Sequence, residues 1–391
     1  MGTVCAFLLE AVGEETASRG DSWQGLPRNC PAATGFPVVG AGWRRPSQEN
    51  RWAGPRALRH ARVMDLHPVR ADDAVRVRLL RDLLNAGRVV DAPWEHLETE
   101  ATLRRELRHS WDGEPGRWFL AGAAQDPDGY VGVYASDYDN LDLAWLVLGI
   151  LPERRRAGRG RAALEAAFDV CRAMDRPLVG IVGWESEVTR RFAQAHGFEQ
   201  RSQDILRRLF PRELDAGLLD ALAAEATAAA GEYELLRFAG AVPDDLLEPI
   251  AVLTESINDA PLDDLEMEDE KFPVERIRAY EQAQAAGGWQ LRRLVARHRG
   301  TGALAGHTVT AVDRERPTIG DQHDTAVARN HRGHRLGLLL KAEMLRWLAE
   351  EEPQLETVDT WNAESNGPMV AVNERLGHRV MGRELQFQRR C

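Results

Sequence analysis

Lysine is almost missing from this sequence: of 50 basic residues, only Lys271 and Lys341 are lysines. Arginine and alanine codons are rich in G and C, so the bias points to a GC-rich bacterial genome and says nothing of chemistry. Cysteine is scarce too. Cys5, Cys30, Cys171 and Cys391 are scattered, with no CxxC and no pattern shared with histidine. This argues against a zinc site or a disulfide framework and fits a reducing cytosol; the expected location is cytoplasmic, with no metal. No run of about 18 apolar residues occurs, so nothing reads as a membrane span. Positive charge is not in excess either. A formal net charge of -11 lacks the basic footprint of a nucleic-acid binder.

What is present is a soluble, globular composition, 43% hydrophobic and 28% charged, over 391 residues. That length suits two or three domains. Residues 1–61 carry Gly, Pro, Ser, Arg and Trp without sustained periodicity and read as a flexible tail, or as an extended gene start with the natural one near Met64. The apolar run near Met1 is short and turns acidic, which argues against a signal peptide.

The remainder repeats itself. "ILPERRRAGRGRAALEAA" starts at Ile150 and "VARNHRGHRLGLLLKAEM" at Val327, 177 residues later. Trp184 and Trp361 keep that offset; Gly197 and Gly377 are 180 apart, a slip of three. A period this long means duplicated domains, since solenoid repeats run about 20 to 50 residues. The halves are placed at 62–212 and 232–391, joined by a helical linker at 213–231. Each half reads as strand, two helices, alternating strands, a loop leading into a long helix, then strand, helix, strand. That order predicts an α+β fold, a mixed and mostly antiparallel sheet flanked by helices.

The strand–loop–helix unit is an anion cradle, because loop amides and a helix N-terminus aim donors and positive dipole at a phosphate. The first loop is Arg155-Arg156-Ala157-Gly158-Arg159-Gly160 and the second Arg332-Gly333-His334-Arg335-Leu336-Gly337. Both loops resemble the Q/R-x-x-G-x-G/A signature of the GNAT superfamily of acyl-CoA-dependent N-acetyltransferases. "NGPMVAVNERLGH" is similar to that family's closing helix and turn. The overall likeness is to actinobacterial tandem-GNAT proteins, the architecture also used by mycothiol synthase. The resemblance implies acetyl-CoA as co-substrate, its pyrophosphate on these loops. It implies that the strands ending at Ile150 and Val327 pair with the pantetheine arm. Asn366 matches the helix asparagine that contacts the cofactor, with Ser186 or Thr189 as its counterpart. Arg335 stands where the central glycine is usual; the loop accommodates it if Arg335 takes an ordinary conformation and turns its guanidinium toward phosphate.

N-acetyl transfer needs a neutral amine, so a carboxylate near the amine is the usual device. The resemblance puts a base at Asp321, with Asp324 and His323 nearby. The first half has Ala144 there, with Asp142 on the same strand face. The tyrosine that commonly protonates the thiolate is replaced by Asn373 and Ala193. Two readings follow. One is an N-acetyltransferase acting on the primary amine of a small molecule, a metabolite or an antibiotic or its precursor, with chemistry in the second half. The other is a non-catalytic acyl-CoA-binding regulatory or assembly protein. Trp145, Trp184, Trp289 and Trp361 are expected in the core or lining a pocket. The acidic run 263–270 is expected to border the acceptor site. A monomer or homodimer is expected.

Overall fold

The computed structural model describes residues 64–391. The tail expected over 1–61 lies outside the described residues. The chain starts with β1 (Leu66–Val69), α1 (Ala74–Asp91) and α2 (Glu100–His109), then β2 (Arg117–Ala123), β3 (Asp126–Tyr134) and β4 (Leu143–Ile150). α3 (Arg159–Ala173), β5 (Leu178–Trp184), α4 (Glu187–Ala195) and β6 (Glu199–Leu209) follow, and α5 (Ala216–Ala229) leads onward. The order then recurs: β7 (Tyr233–Ala239), α6 (Asp244–Thr254), α7 (Val274–Ala286), β8 (Trp289–His298), β9 (Leu304–Asp313) and β10 (Ile319–Val327). α8 (Leu336–Glu351), β11 (Thr357–Ala363), α9 (Gly367–Arg375) and β12 (Arg379–Arg390) complete it.

Local chemistry starts many of these helices. The side chains of Asp73, Thr99, Ser186, Asp215 and Asn366 each accept a first-turn amide of α1, α2, α4, α5 and α9. α8 is apolar nearly all round, and Leu339, Leu340, Met344 and Trp347 bury it against the sheet and α5. No helix among the described residues is long and apolar enough to cross a membrane.

The twelve strands of the described residues join one sheet in the order β1-β2-β3-β4-β5-β12-β6-β11-β10-β9-β8-β7. The parallel pairs are β4–β5 and β10–β11, each with a helix crossover between its strands. The sheet carries a feature absent from the sequence reading. β12 pairs with β5 of the first half, and β6 pairs with β11 of the second. β6 and β12 also pair with each other. Each half therefore lends its last strand to the other, and the order is unchanged when the halves are interchanged.

Arginine–carboxylate clamps reinforce the exchange. Arg208 grips Asp359 at 2.6 and 2.7 Å, and Arg105 grips Asp313 at 2.9 and 3.0 Å. Arg276 reaches Asp112 at 2.9 Å and Asp139 at 2.7 Å. Burial alone would raise the Asp313 carboxyl; hydrogen bonds from Arg105 and Arg316 outweigh it and hold the group near about 2.

Candidate functional site

The strand–loop–helix unit occurs twice. β4 ends at Ile150 and β10 at Val327, and a single 3-10 turn follows each. The first loop arginine folds back alike in both. Arg155 Nε donates to the Ile150 carbonyl at 3.0 Å, and Arg332 Nε to the Val327 carbonyl at 3.1 Å. α3 begins on Gly158 and α8 on Arg335, neither with a side-chain cap. At α8 this leaves first-turn amides for an anion.

Each loop has two left-handed residues. They are Arg156 (φ 66°) and Gly158 (φ 74°) in the first, Gly333 (φ 87°) and Arg335 (φ 56°) in the second. Glycine and arginine have traded places. The expectation of an ordinary backbone at Arg335 is corrected here, because that position is the left-handed N-cap whatever residue fills it. Its guanidinium pairs with Glu225 of α5. A side chain in this region costs about 1 kcal/mol or slightly more.

Every residue expected at the second-half site lines one cleft of about 630 Å³, His334 excepted. The His334 ring packs 5.6 Å from that of Tyr233 instead. The cleft arises from strand divergence. β10 pairs with β11 only over Ile319–Gln322. A register shift between Gln322 and Thr325 then makes His323 and Asp324 a bulge on the β9 side. Such bulges re-aim side chains and occur often beside active sites. The far wall is the turn after α6, including Ile257, Asn258 and Pro261. Asp259 of that turn holds Arg332 at 2.6 Å.

Asp321 keeps 25% of its side chain exposed. Burial first, then the neighbouring charges of Asp359 and Glu95, push its carboxyl up to about 7. His323 lies 3.8 Å away. Burial and then Arg293 push His323 down to about 3, so it is neutral at physiological pH and a weak base. It bonds to the Tyr280 hydroxyl at 2.7 Å, and its ring lies 4.2 Å from Trp111. Burial also raises the Asp324 carboxyl.

Lys341 was not singled out from the sequence. It lines the cleft from α8, is 3% exposed, and has no hydrogen bond or ion pair among the described residues. Burial lowers its amine to about 7. A signal existed: it is one of two lysines, set in the apolar run "LGLLLKAEM". Asn373, where the tyrosine was sought, is fully buried and donates to Asn362 at 2.6 Å. Asn366 and Ser186 are both N-caps, of α9 and α4, so the three-residue slip falls before these helices.

The first half is built differently at the same place. Ile150 and residues 155–160 line neither this cleft nor the cavity beside it. Arg155 is tied to Asp91 at 2.6 and 3.0 Å, and Arg159 to Asp128 at 3.0 Å. Ile150 is 2% exposed, and β4 pairs with β3 without a bulge. α1 runs unbroken for 18 residues, where α6 stops after 11 and gives way to a 3-10 turn. Asp142, expected on the strand, lies just ahead of β4 and pairs with Arg390 at 3.6 Å.

Two mixed α+β halves, each with a splayed parallel strand pair and a loop feeding a helix, define a tandem GNAT fold. Residues 258–378 match the model of the Acetyltransferase (GNAT) family, an acyltransferase class. The chain is similar to a tandem GNAT protein from the clavulanic acid biosynthesis pathway, at 24% identity over 84% of this chain and 98% of that one, TM-score 0.68. It is also similar to a GCN5-related N-acetyltransferase from Sphaerobacter thermophilus, at 15% identity over 84% and 95%, TM-score 0.58. No curated protein matches it. The chain thus has the fold of tandem GNAT proteins, and residues 258–378 of its second half match the acetyltransferase family model.

Proposed function

We propose that this protein is an acetyl-CoA-dependent N-acetyltransferase acting on the primary amine of a small molecule, with its chemistry in the second-half cleft. One observation carries the reading: Asp321 faces the same cleft as the Arg332–Gly337 loop, with a carboxyl that changes charge near neutral pH. That is the range in which a general base is most useful.

The residues fit the co-substrate. Amides at the start of α8, with Arg332, suit a pyrophosphate. The part of β10 that diverges from β11, up to Val327, suits an extended amide-bearing arm added as a strand. When bound, acetyl-CoA supplies the activated thioester. Asp321 takes a proton from the incoming ammonium, directly or through one water, and leaves a neutral amine. The acylated nitrogen sheds its surplus proton to water, and Lys341 supplies the proton that the departing thiolate needs, where Asn373 offers no hydroxyl. The first half acts as support, and one acyl-CoA binds per chain.

The test is thiol release from acetyl-CoA across a panel of primary amines. Asp321→Asn should lower turnover by about 10²–10⁴-fold while leaving acetyl-CoA binding intact. No turnover with any amine, despite tight acetyl-CoA binding, would make the protein a non-catalytic binder. Two acetyl-CoA per chain by calorimetry would return the Arg155–Gly160 loop to the list of sites.

A further inference from the structure

A second cavity, about 460 Å³, meets the cleft at Asp321, His323 and Trp361 and is lined by both halves. Five tryptophans line it: Trp111, Trp118, Trp145, Trp289 and Trp361. Eleven carboxylates line it against four guanidinium groups. Those four are already engaged. Arg105 and Arg316 hold Asp313, Arg276 holds Asp112 and Asp139, and Arg88 reaches Glu98 at 2.8 Å.

Several of the carboxylates find only neutral partners. Among the described residues, Glu106 accepts from the hydroxyls of Ser110 and Tyr134, each at 3.1 Å. Glu114 accepts from the Asp137 amide at 3.1 Å, and Asp204 from the Gln386 amide at 2.7 Å. Asp204 lies on β6, which the strand exchange sets beside β11 of the second half. Burial pushes the Glu114 and Asp204 carboxyls up to about 6. Among the described residues the indole N–H of Trp118, in a residue only 7% exposed, makes no close hydrogen bond and has the Tyr134 hydroxyl only loosely beside it.

Buried carboxylates and tryptophan faces are two independent ways of holding an ammonium group away from water. An unsatisfied buried N–H calls for an acceptor atom on whatever fills the space. Three such carboxylates, with Asp321 on the same cavity, exceed the need of a single amine.

We propose that this cavity binds the acceptor and selects a polycationic one, with two or more ammonium groups and a hydroxyl or similar acceptor atom. One amine reaches Asp321. The others lie among the tryptophans against Glu106, Glu114 and Asp204, and the acceptor atom takes the Trp118 N–H. The reacting amine rests on the acyl-transfer reading; the binding of the other ammonium groups does not.

Binding is therefore measured first without acetyl-CoA, by calorimetry on the full chain. The probes are butylamine against 1,4-diaminobutane, cyclohexylamine against cis-1,3-diaminocyclohexane, and spermidine. At least one polyamine should bind about tenfold or more tightly than its monoamine, and weaken with salt, as pairing with carboxylates requires. Glu106→Gln and Glu114→Gln should each remove much of that preference, with acetyl-CoA affinity unchanged. Equal affinity for monoamine and polyamine in both pairs, or a preference untouched by both variants, overturns the proposal. Thiol release is then read with the same probes. Polyamine preference without thiol release sinks the acyl-transfer reading alone; thiol release indifferent to the second amine sinks the polycation proposal alone.

Discussion

Gly158 and Arg335, 177 residues apart, hold the same left-handed position at the start of α3 and α8. No heavy atom would lie within 4 Å of a Cβ at Gly158, so the demand there is purely backbone. Arg335→Gly should accordingly stabilise the protein by about 1 kcal/mol. The lost ion pair to Glu225 subtracts little, since both side chains are substantially exposed and Glu225 keeps Arg375 at 2.7 Å. Gly158→Ala should destabilise by a similar amount. Thermal denaturation of the two variants checks both signs.

The pH dependence follows from Asp321. A base must be ionised, and this carboxyl is raised to about 7. Activity should climb as pH rises toward about 7 and fall again above it, because Lys341, the proton donor, loses its own proton in the same range. Glu95→Gln removes one of the charges holding the group up, so the acid limb should move to lower pH. A limb that stays in place in that variant would show that another group titrates.

Lys341 should trade stability for activity. Its folded amine titrates near about 7, well below its ordinary 10.5, so between these values the unfolded chain holds a proton the folded one has released. Stability therefore rises with pH across that window, and below it the full cost is felt. Lys341→Met should gain a few kcal/mol at pH 6 and much less near pH 10. Turnover should fall at least about tenfold if the ammonium protonates the thiolate. Denaturation at the two pH values, with thiol release at saturating acetyl-CoA, reads both effects.

The strand exchange predicts that the chain survives being cut. A protease site inserted at Gly231, between α5 and β7, should give two fragments that stay together on gel filtration. β12 would still lie between β5 and β6, and the clamps Arg105–Asp313 and Arg208–Asp359 would still cross the cut. Separation of the fragments without denaturant would refute this.

Much of this was legible in the sequence because the chemistry is local. A loop that feeds a helix N-terminus must be written in consecutive residues, so both loop-to-helix units and the strand ends at Ile150 and Val327 were readable. So was the contrast between the apolar "LAWLVLGI" and the polar "IGDQHDTAV", although only the bulge at His323 and Asp324 gives it meaning. The exchange of β6 and β12 was not readable. Alternation tells a strand which face to bury, not which neighbour to take. The acidic tryptophan cavity was hidden for the same reason: Glu106, Asp204 and Trp361 meet only after the sheet closes. Arg335 misled because its left-handed geometry belongs to the position and not to the residue.

The last strand has one more consequence. A chain cut short before Arg379 would keep the loop, Asp321 and Asn366, and so look functional on paper. What it would lose is the partner of both β5 and β6, opening a seam in the middle of the sheet. Two bare inner edges facing one another would be open to the tail of any intact neighbour, making such a truncation a seed for cross-linked aggregates.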